Sequence, residues 1–174
     1  MRWSREKWNW EDEWKQVVWL DELRFALFES DDRVRVWRYP REAYNKDCIQ
    51  PTVKFGGGSV MFWSCFSWHG VGSLVVVEGN MNSDDYINIL ANHFISWVDN
   101  YPGSIFQQDG ASCHTSNYSV WWMRTHNIPI LDWVAQSSNL NPIENLWNHL
   151  NYQVWRRKPL LKSKQELICV VQKE

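Results

Sequence analysis

Short apolar runs of the kind that form buried strands alternate in this chain with stretches whose apolar residues recur at helical spacing, and this alternation most constrains the fold. One run, 17–20, ends at Asp21 and Glu22, and another ends on Asp109. Strands that alternate with helices predict an α/β domain in which helices cover a central sheet. The other predicted strands are 24–28 as an extension of the first, 33–37, 59–66, 74–78 and 128–133.

Caps and apolar stripes predict three longer helices. The first begins at Ser83, which stands where it would cap a stripe that runs over 86–98. The second spans 116–126. The third opens on the run 141–144, with asparagine as the cap, proline at the first position and glutamate at the third.

Composition assigns the chain to the globular class. Its 174 residues are 44% hydrophobic and 22% charged, which excludes a disordered chain and predicts one domain over 1–174. The absence of about 20 consecutive apolar residues predicts no membrane span, and the charges in 1–15 predict no secretory signal. The four cysteines lie far apart, which favours free thiols over disulfides or a zinc site.

Charge is divided unevenly along the chain. Residues 51–150 hold two basic side chains against seven acidic ones, whereas residues 151–174 hold six basic against two acidic. An acid-rich centre binds a polyanion poorly unless metal ions neutralise it. The basic tail either contacts a polyanion or is a solvated helix end, and both interpretations stay open.

Three carboxylates stand where ligands gather in open α/β sheets: Asp21 and Asp109 near strand ends, and Glu144 in a first helical turn. If the two strands are neighbours, their acids converge, and the repulsion between them is relieved by a divalent cation with oxygen ligands. Two Mg²⁺ ions could then promote an in-line phosphoryl displacement. Ordinary capping is the alternative role for each acid.

Four ordered motifs carry a resemblance across nearly the whole chain. Together they resemble the catalytic domain of mariner-type cut-and-paste DNA transposases, in the branch related to the nematode Tc elements. Between Asp109 and Glu144 lie 34 residues, the spacing of the Asp-Asp-Glu triad in that branch. The motifs are WKQVVWLDE at 14–22, TVKFGGGSVM at 52–61, QQDGASCHT at 107–115 and LNPIENLW at 140–147.

The resemblance implies a ribonuclease H-like fold, with a mixed central β-sheet flanked by helices. It places Asp21 on the first strand, Asp109 on the fourth and Glu144 on a following helix, as catalytic ligands of two Mg²⁺ or Mn²⁺ ions. It implies hydrolysis at the ends of a DNA element and joining of the 3′-hydroxyls to a TA target in the nucleus. It also implies a homodimer in a full-length context, with 33–58 as a clamp-like loop between subunits.

Several positions depart from the family pattern and support a second hypothesis. Leu23, Gly110, Ser112 and the pair 138–139 change residues beside the acids. The short segment before Trp14 also has no room for the helix-turn-helix modules that begin family members, so we expect them to be absent. The alternative function is therefore a catalytically inactive remnant that keeps the fold and weak DNA contact or dimerisation. Ribonuclease H activity is a third option, disfavoured by the motifs.

Two further features leave alternatives open. His114 beside Cys113 suggests a metal site with Asp109, but capping or packing is favoured. Tryptophan, with 14 copies against 12 leucines, is abnormally frequent. Core positions are favoured over base stacking for Trp121, Trp122, Trp133 and Trp147. Another four predict an interface left open: Trp3, Trp8, Trp10 and Trp14.

Overall fold

Five strands form one mixed sheet in the part of the chain that the computed structural model describes, which is residues 2–26, 58–134, 137–157, 161 and 163–174. The strands are β1 (Val17–Ala26), β2 (Ser59–Ser67), β3 (Gly70–Val71), β4 (Val75–Val77) and β5 (Ile105–Gln107). Strand β1 is central, because it pairs antiparallel with β2 and parallel with β5. The short strands β3 and β4 both pair with β2.

Helices cover both faces of this sheet. They are α1 (Arg2–Glu6), α2 (Ser83–Ile89), α3 (Ile95–Val98), α4 (Ser112–Thr115), α5 (Asn117–Thr125), α6 (Ile143–Trp155) and α7 (Lys164–Val171). Alternate β1 residues face opposite layers: Val18 and Leu20 pack on α2 and α5, whereas Val17 and Trp19 pack on α6. Further along the second face, Phe62 of β2 packs on α7.

The first strand runs without a break through its two acids. The apolar run was predicted to end at Asp21 and Glu22, with 24–28 as an extension; β1 is continuous to Ala26, the last described residue of this segment, because the residues from Glu22 onward stay paired with 59–63 of β2. The cross-strand partner therefore joins the run and its predicted extension into one strand. As a result Asp21 and Glu22 are neighbours inside one strand, and their side chains lie on opposite faces of the sheet.

Two predicted boundaries in the second half also differ. Asn82, not Ser83, caps α2: its side chain accepts the backbone N–H of Asp84 and Asp85, and the Asp85 carboxylate accepts the N–H of Asn82. This reciprocal capping box satisfies more unpaired N–H groups than a serine cap one residue later would. The predicted strand over 128–133 is reduced to a single parallel bridge between Phe106 and Ile130.

The tryptophans near the amino terminus do not form the open interface predicted for them. Three of them pack in an aromatic cluster that includes Trp19 and Trp133, with ring centroids 4.9–6.1 Å apart between successive members: Trp3, Trp10 and Trp14. The fourth, Trp8, is 82% exposed. The cluster satisfies its apolar surface within the chain, because Trp133 and Trp19 offer partners that are distant in sequence.

The other tryptophan predictions have mixed outcomes. Trp122 and Trp147 are core residues, as expected, but Trp121 is 59% exposed. The predicted strand 33–37, most of the predicted loop 33–58 and one cysteine, Cys48, lie outside the described residues. The other three cysteines are free thiols, as predicted. No helix in the described part of the chain is long and apolar enough to cross a membrane.

Candidate active site

The three carboxylates singled out in the sequence line one pocket of about 500 Å³. Asp21 reaches it from the middle of β1, Asp109 from the loop two residues past β5, and Glu144 from the second position of α6. Because β3 is a two-residue strand, Asp109 follows the fifth strand of the sheet rather than lying on the fourth. The structure thus brings together acids that are up to 123 positions apart in the sequence.

The start of α6 is tied directly to the central strand. Asn141 was predicted to cap this helix; instead α6 begins at Ile143, after Pro142. The Asn141 side chain accepts the N–H of Ile143 at 3.3 Å and donates to the carbonyl of Leu20 at 3.0 Å. Because Leu20 precedes Asp21, this buried amide fixes the distance between the first and third acids.

Asp21 is the carboxylate whose charge the site tolerates least. Burial raises the pKa of Asp21 to about 7, and the negative charges of Glu22, Glu144 and Asp109 add to the rise. A hydrogen bond from the backbone N–H of Glu22 opposes these effects without cancelling them. The metal-free pocket therefore favours a proton on Asp21 up to neutral pH, as expected for clustered acids that lack a cation.

This raised pKa predicts a pH-dependent cost in stability. Because the folded state holds the Asp21 proton more tightly than the unfolded state does, stability falls as pH rises from about 4 to about 7 and is constant above that range as far as this group is concerned. Asp21→Asn removes the ionisation, so we expect the metal-free variant to melt about 3–6 °C above wild type at pH 8, with less than half of that gain at pH 5. Thermal melts at both pH values test this. An equal difference at the two pH values would contradict it.

Asp109 is held by a buried histidine, His114, which lies on the face of the sheet opposite the acidic pocket. Its Oδ1 accepts the backbone N–H of Ala111 at 2.9 Å and lies 2.7 Å from Nδ1 of His114. The other ring nitrogen of His114 lies 3.3 Å from Oε1 of Glu22. The sequence favoured capping or packing for His114; the structure shows the ring buried against Tyr86 and, in addition, in contact with two carboxylates. The hydrogen bond from His114 lowers the pKa of Asp109 despite burial.

His114 itself is favoured in the charged state. Burial lowers its pKa, but the hydrogen bonds to Asp109 and Glu22 outweigh burial and raise the pKa to about 9. The ring is 1% exposed and packs 4.3 Å from the ring of Tyr86, centroid to centroid. Sequence reasoning missed Glu22 as a site residue. The alternation of β1 was the available signal, since it places Glu22 opposite Asp21.

Two adjacent glutamines at the end of β5 have contrasting surroundings. Gln108 accepts the Tyr86 hydroxyl at 2.6 Å and donates to the carbonyl of His114 at 3.5 Å. Gln107 belongs to the wall of the acidic pocket, is 0% exposed, and neither polar atom of its amide has a partner among the described residues. A buried amide without partners costs free energy, so Gln107 is an unfavourable choice for the fold alone.

The donor set suits a hard divalent cation in kind, since three carboxylates supply oxygen ligands to one pocket. The spacing of these carboxylates, however, does not by itself form a metal site. Within the described residues, no group of three or more His, Cys, Asp or Glu side chains is close enough to hold a metal ion. The acids therefore share a pocket without forming a closed ligand cage, and ion binding requires that they move together.

Comparison with known proteins gives this pocket a context. A family model described as the DDE superfamily endonuclease matches residues 16–168. The chain is 38% identical over 152 residues to the Tc1 transposase of Caenorhabditis elegans, covering 86% of this chain and 54% of that protein. It is 36% identical over 155 residues to the Tcb2 transposase of Caenorhabditis briggsae, covering 87% and 57%. The chain thus spans about half the length of these relatives.

Solved structures agree with the fold. The Mos1 mariner paired end complex with Mn matches with a TM-score of 0.72 at 18% identity, over 99% of this chain and 51% of that one. The Mos1 transposase catalytic domain matches at 0.64 and 16%, over 99% and 74%. Its complex with raltegravir and Mg matches at 0.67 and 16%, over 98% and 75%. These matches confirm the ribonuclease H-like fold.

The family match and the relatives agree with the motifs that first suggested the resemblance. The family model covers the stretch that contains Asp21, Asp109 and Glu144. The chain belongs to the DDE superfamily of endonucleases, and it is similar to the Tc1 and Tcb2 transposases.

Proposed function

We propose that this chain is a DDE endonuclease and strand-transfer domain that acts on DNA phosphodiesters with Mg²⁺ or Mn²⁺. The observation that carries the proposal is the single pocket lined by Asp21, Asp109 and Glu144. The raised pKa of Asp21 supports it, because burial and the neighbouring carboxylates disfavour the negative charge of Asp21 when no cation is bound. We infer two ions per site, which Asp21, Asp109 and Glu144 would hold as ligands.

The residues of the chain have distinct tasks in this proposal. Asp109 enters the reaction ionised, because His114 stabilises its negative charge. Asp21 releases its proton when a cation is bound. When bound, the ions supply Lewis-acid stabilisation to the attacking and leaving oxygens. Hydrolysis joins a water oxygen to phosphorus and releases a 3′-hydroxyl; in strand transfer that hydroxyl attacks a target phosphodiester, so each step exchanges one P–O bond for another.

A metal-binding and nicking experiment tests the proposal. Calorimetry with Mn²⁺ at pH 8, where Asp21 is ionised, should detect about two ions per chain, and nicking of supercoiled DNA should occur with Mn²⁺ or Mg²⁺ but not with a chelator. Glu144→Gln should weaken Mn²⁺ binding, whereas Glu78→Gln changes an exposed glutamate away from the pocket and should not. A folded protein that neither binds Mn²⁺ nor nicks DNA would contradict the proposal.

The second candidate function is a catalytically inactive remnant that keeps the fold and retains weak DNA contact or dimerisation. The observation in its favour is that the described acids form no closed metal-binding group. Under this hypothesis the exposed basic residue Arg156 and its neighbours retain DNA contact. DNA binding that persists without Mn²⁺ binding or nicking distinguishes the remnant from the enzyme.

Partners and location follow from the same proposal. The Mos1 matches include a paired end complex and a strand transfer complex, which supports transposon ends and target DNA as partners. We infer a TA target, a homodimer in a full-length context, and action in the nucleus. The four curated relatives are all transposases of transposable elements, which supports cut-and-paste transposition as the setting.

A further inference from the structure

Glu22, His114 and Asp109 form a continuous chain of polar contacts that passes around the carboxyl edge of the sheet. Asp21 faces the acidic pocket, whereas Glu22, the next residue in β1, lies on the opposite face with Tyr86 and His114. Asp109 lies beyond the end of β5, where both faces are within its reach. The contacts therefore join a carboxylate outside the pocket to one inside it.

The orientation of the Asp109 carboxylate is fixed through one oxygen. Both of its described hydrogen bonds, from Ala111 and from His114, go to Oδ1. No described hydrogen bond uses Oδ2. Because Asp109 is also in the pocket wall, this pattern leaves Oδ2 as the oxygen available to a cation.

The imidazole ring of His114 is itself held by three contacts with described residues. Nδ1 contacts Asp109, Nε2 contacts Glu22, and the ring lies against Tyr86. Glu22 is the acid that determines the plane of the ring, since its side chain is 15% exposed and bonds the nitrogen farther from Asp109. Carboxylates that orient a histidine in this way are common behind metal ligands and change metal affinity when they are lost.

We propose that His114 and Glu22 are positioning residues, which orient the Asp109 carboxylate so that Oδ2 is presented to a divalent cation in the pocket. This inference rests on the proposed metal-dependent function. It differs from the triad assignment because neither His114 nor Glu22 lines the pocket. Their effect on the reaction passes through Asp109.

Two amide substitutions separate the two halves of the contact. His114→Asn retains an N–H donor near the position of Nδ1 and can still bind Asp109, whereas His114→Gln places its donor near Nε2 and can still bind Glu22. We expect His114→Gln to weaken Mn²⁺ binding by about 10–100-fold in calorimetry. His114→Asn should weaken Mn²⁺ binding less, by about threefold to tenfold, because it keeps the Asp109 contact and loses only the Glu22 contact that orients the side chain. Nicking rates should follow the same order.

The matched control is His126, whose ring stacks on Trp122 at 4.0 Å, outside the site. His126→Gln should leave Mn²⁺ affinity unchanged. If His114→Gln binds Mn²⁺ as well as wild type does, or if the two His114 variants lose affinity equally, the positioning role is overturned.

A metal-free measurement separates this inference from the proposed function. If wild type binds no Mn²⁺, the proposed function fails, but the contact is still tested by melting His114→Gln, Asp109→Asn and the double variant. We expect the double variant to lose less melting temperature than the sum of the two single losses, because both changes remove the same contact. Additive losses would show that His114 does not hold Asp109.

Discussion

Asp109→Asn should abolish metal-dependent nicking of DNA. Asparagine keeps the shape of the side chain but removes the negative charge that, in our proposal, helps to hold the two cations. The stabilisation supplied by bound ions is several kcal/mol, and each 1.4 kcal/mol is worth a factor of ten in rate. We therefore expect a loss of about 1,000-fold or more, measured as the initial rate of plasmid nicking in Mn²⁺.

Asp84→Asn is the matched control for this experiment. Asp84 is an exposed acid in the first turn of α2, so the same chemical change there should leave the nicking rate within about twofold of wild type. Both variants are compared by thermal melting, since Asp109→Asn also weakens the contact with His114. Equal nicking by wild type and a folded Asp109→Asn protein would rule out Asp109 as a catalytic metal ligand.

Phe106→Ala should cause the largest loss of stability that we predict for a single substitution. Phe106 is 1% exposed, and its ring lies 4.5 Å from that of Phe94, centroid to centroid. Its backbone also joins β5 to the loop at 129–131 through two 2.8 Å hydrogen bonds. Truncation of a buried phenylalanine costs about 3–5 kcal/mol, which corresponds to a fall in melting temperature of about 10 °C.

The substitution should also disturb the position of Asp109. Strand β5 has only three residues, and Asp109 lies two residues past its end. Trp121→Ala provides the control, since this aromatic side chain is 59% exposed and its removal should cost about 0.5 kcal/mol or less. Calorimetric melting of the three metal-free proteins measures both effects. A Phe106→Ala protein that melts with wild type would show that β5 is not anchored by this ring.

The sequence predicted those elements whose ends are determined by residues within the element itself. Strand β2, predicted over 59–66, is found at Ser59–Ser67, and α5, predicted over 116–126, is found at Asn117–Thr125. Alternation and an apolar stripe are properties of the segment itself. Ser116 also caps α5 through the N–H of Ser119, so its start was readable from the residue types.

Features that depend on tertiary partners were not predictable in the same way. The pairing that keeps β1 continuous through Asp21 and Glu22 requires β2 beside it, and the aromatic cluster requires Trp133 to meet residues more than 110 positions earlier. The three acids were found from their motifs, but the path from Glu22 through His114 to Asp109 depends on how α4 packs beneath the sheet. Pairwise contacts of that kind leave no periodic trace in a sequence.

Gln107 carries a consequence for how this domain responds to selection. Its unpartnered amide lies in the wall beside the acids, so replacing Gln107 with leucine would break no hydrogen bond to a described residue. A screen that rewards heat resistance alone should therefore replace Gln107 early, whereas Gln108, which is bonded to Tyr86, should persist. Comparing substitutions at Gln107 and Gln108 among the surviving variants would distinguish a polar group that stabilises the fold from one that is kept although it destabilises the fold.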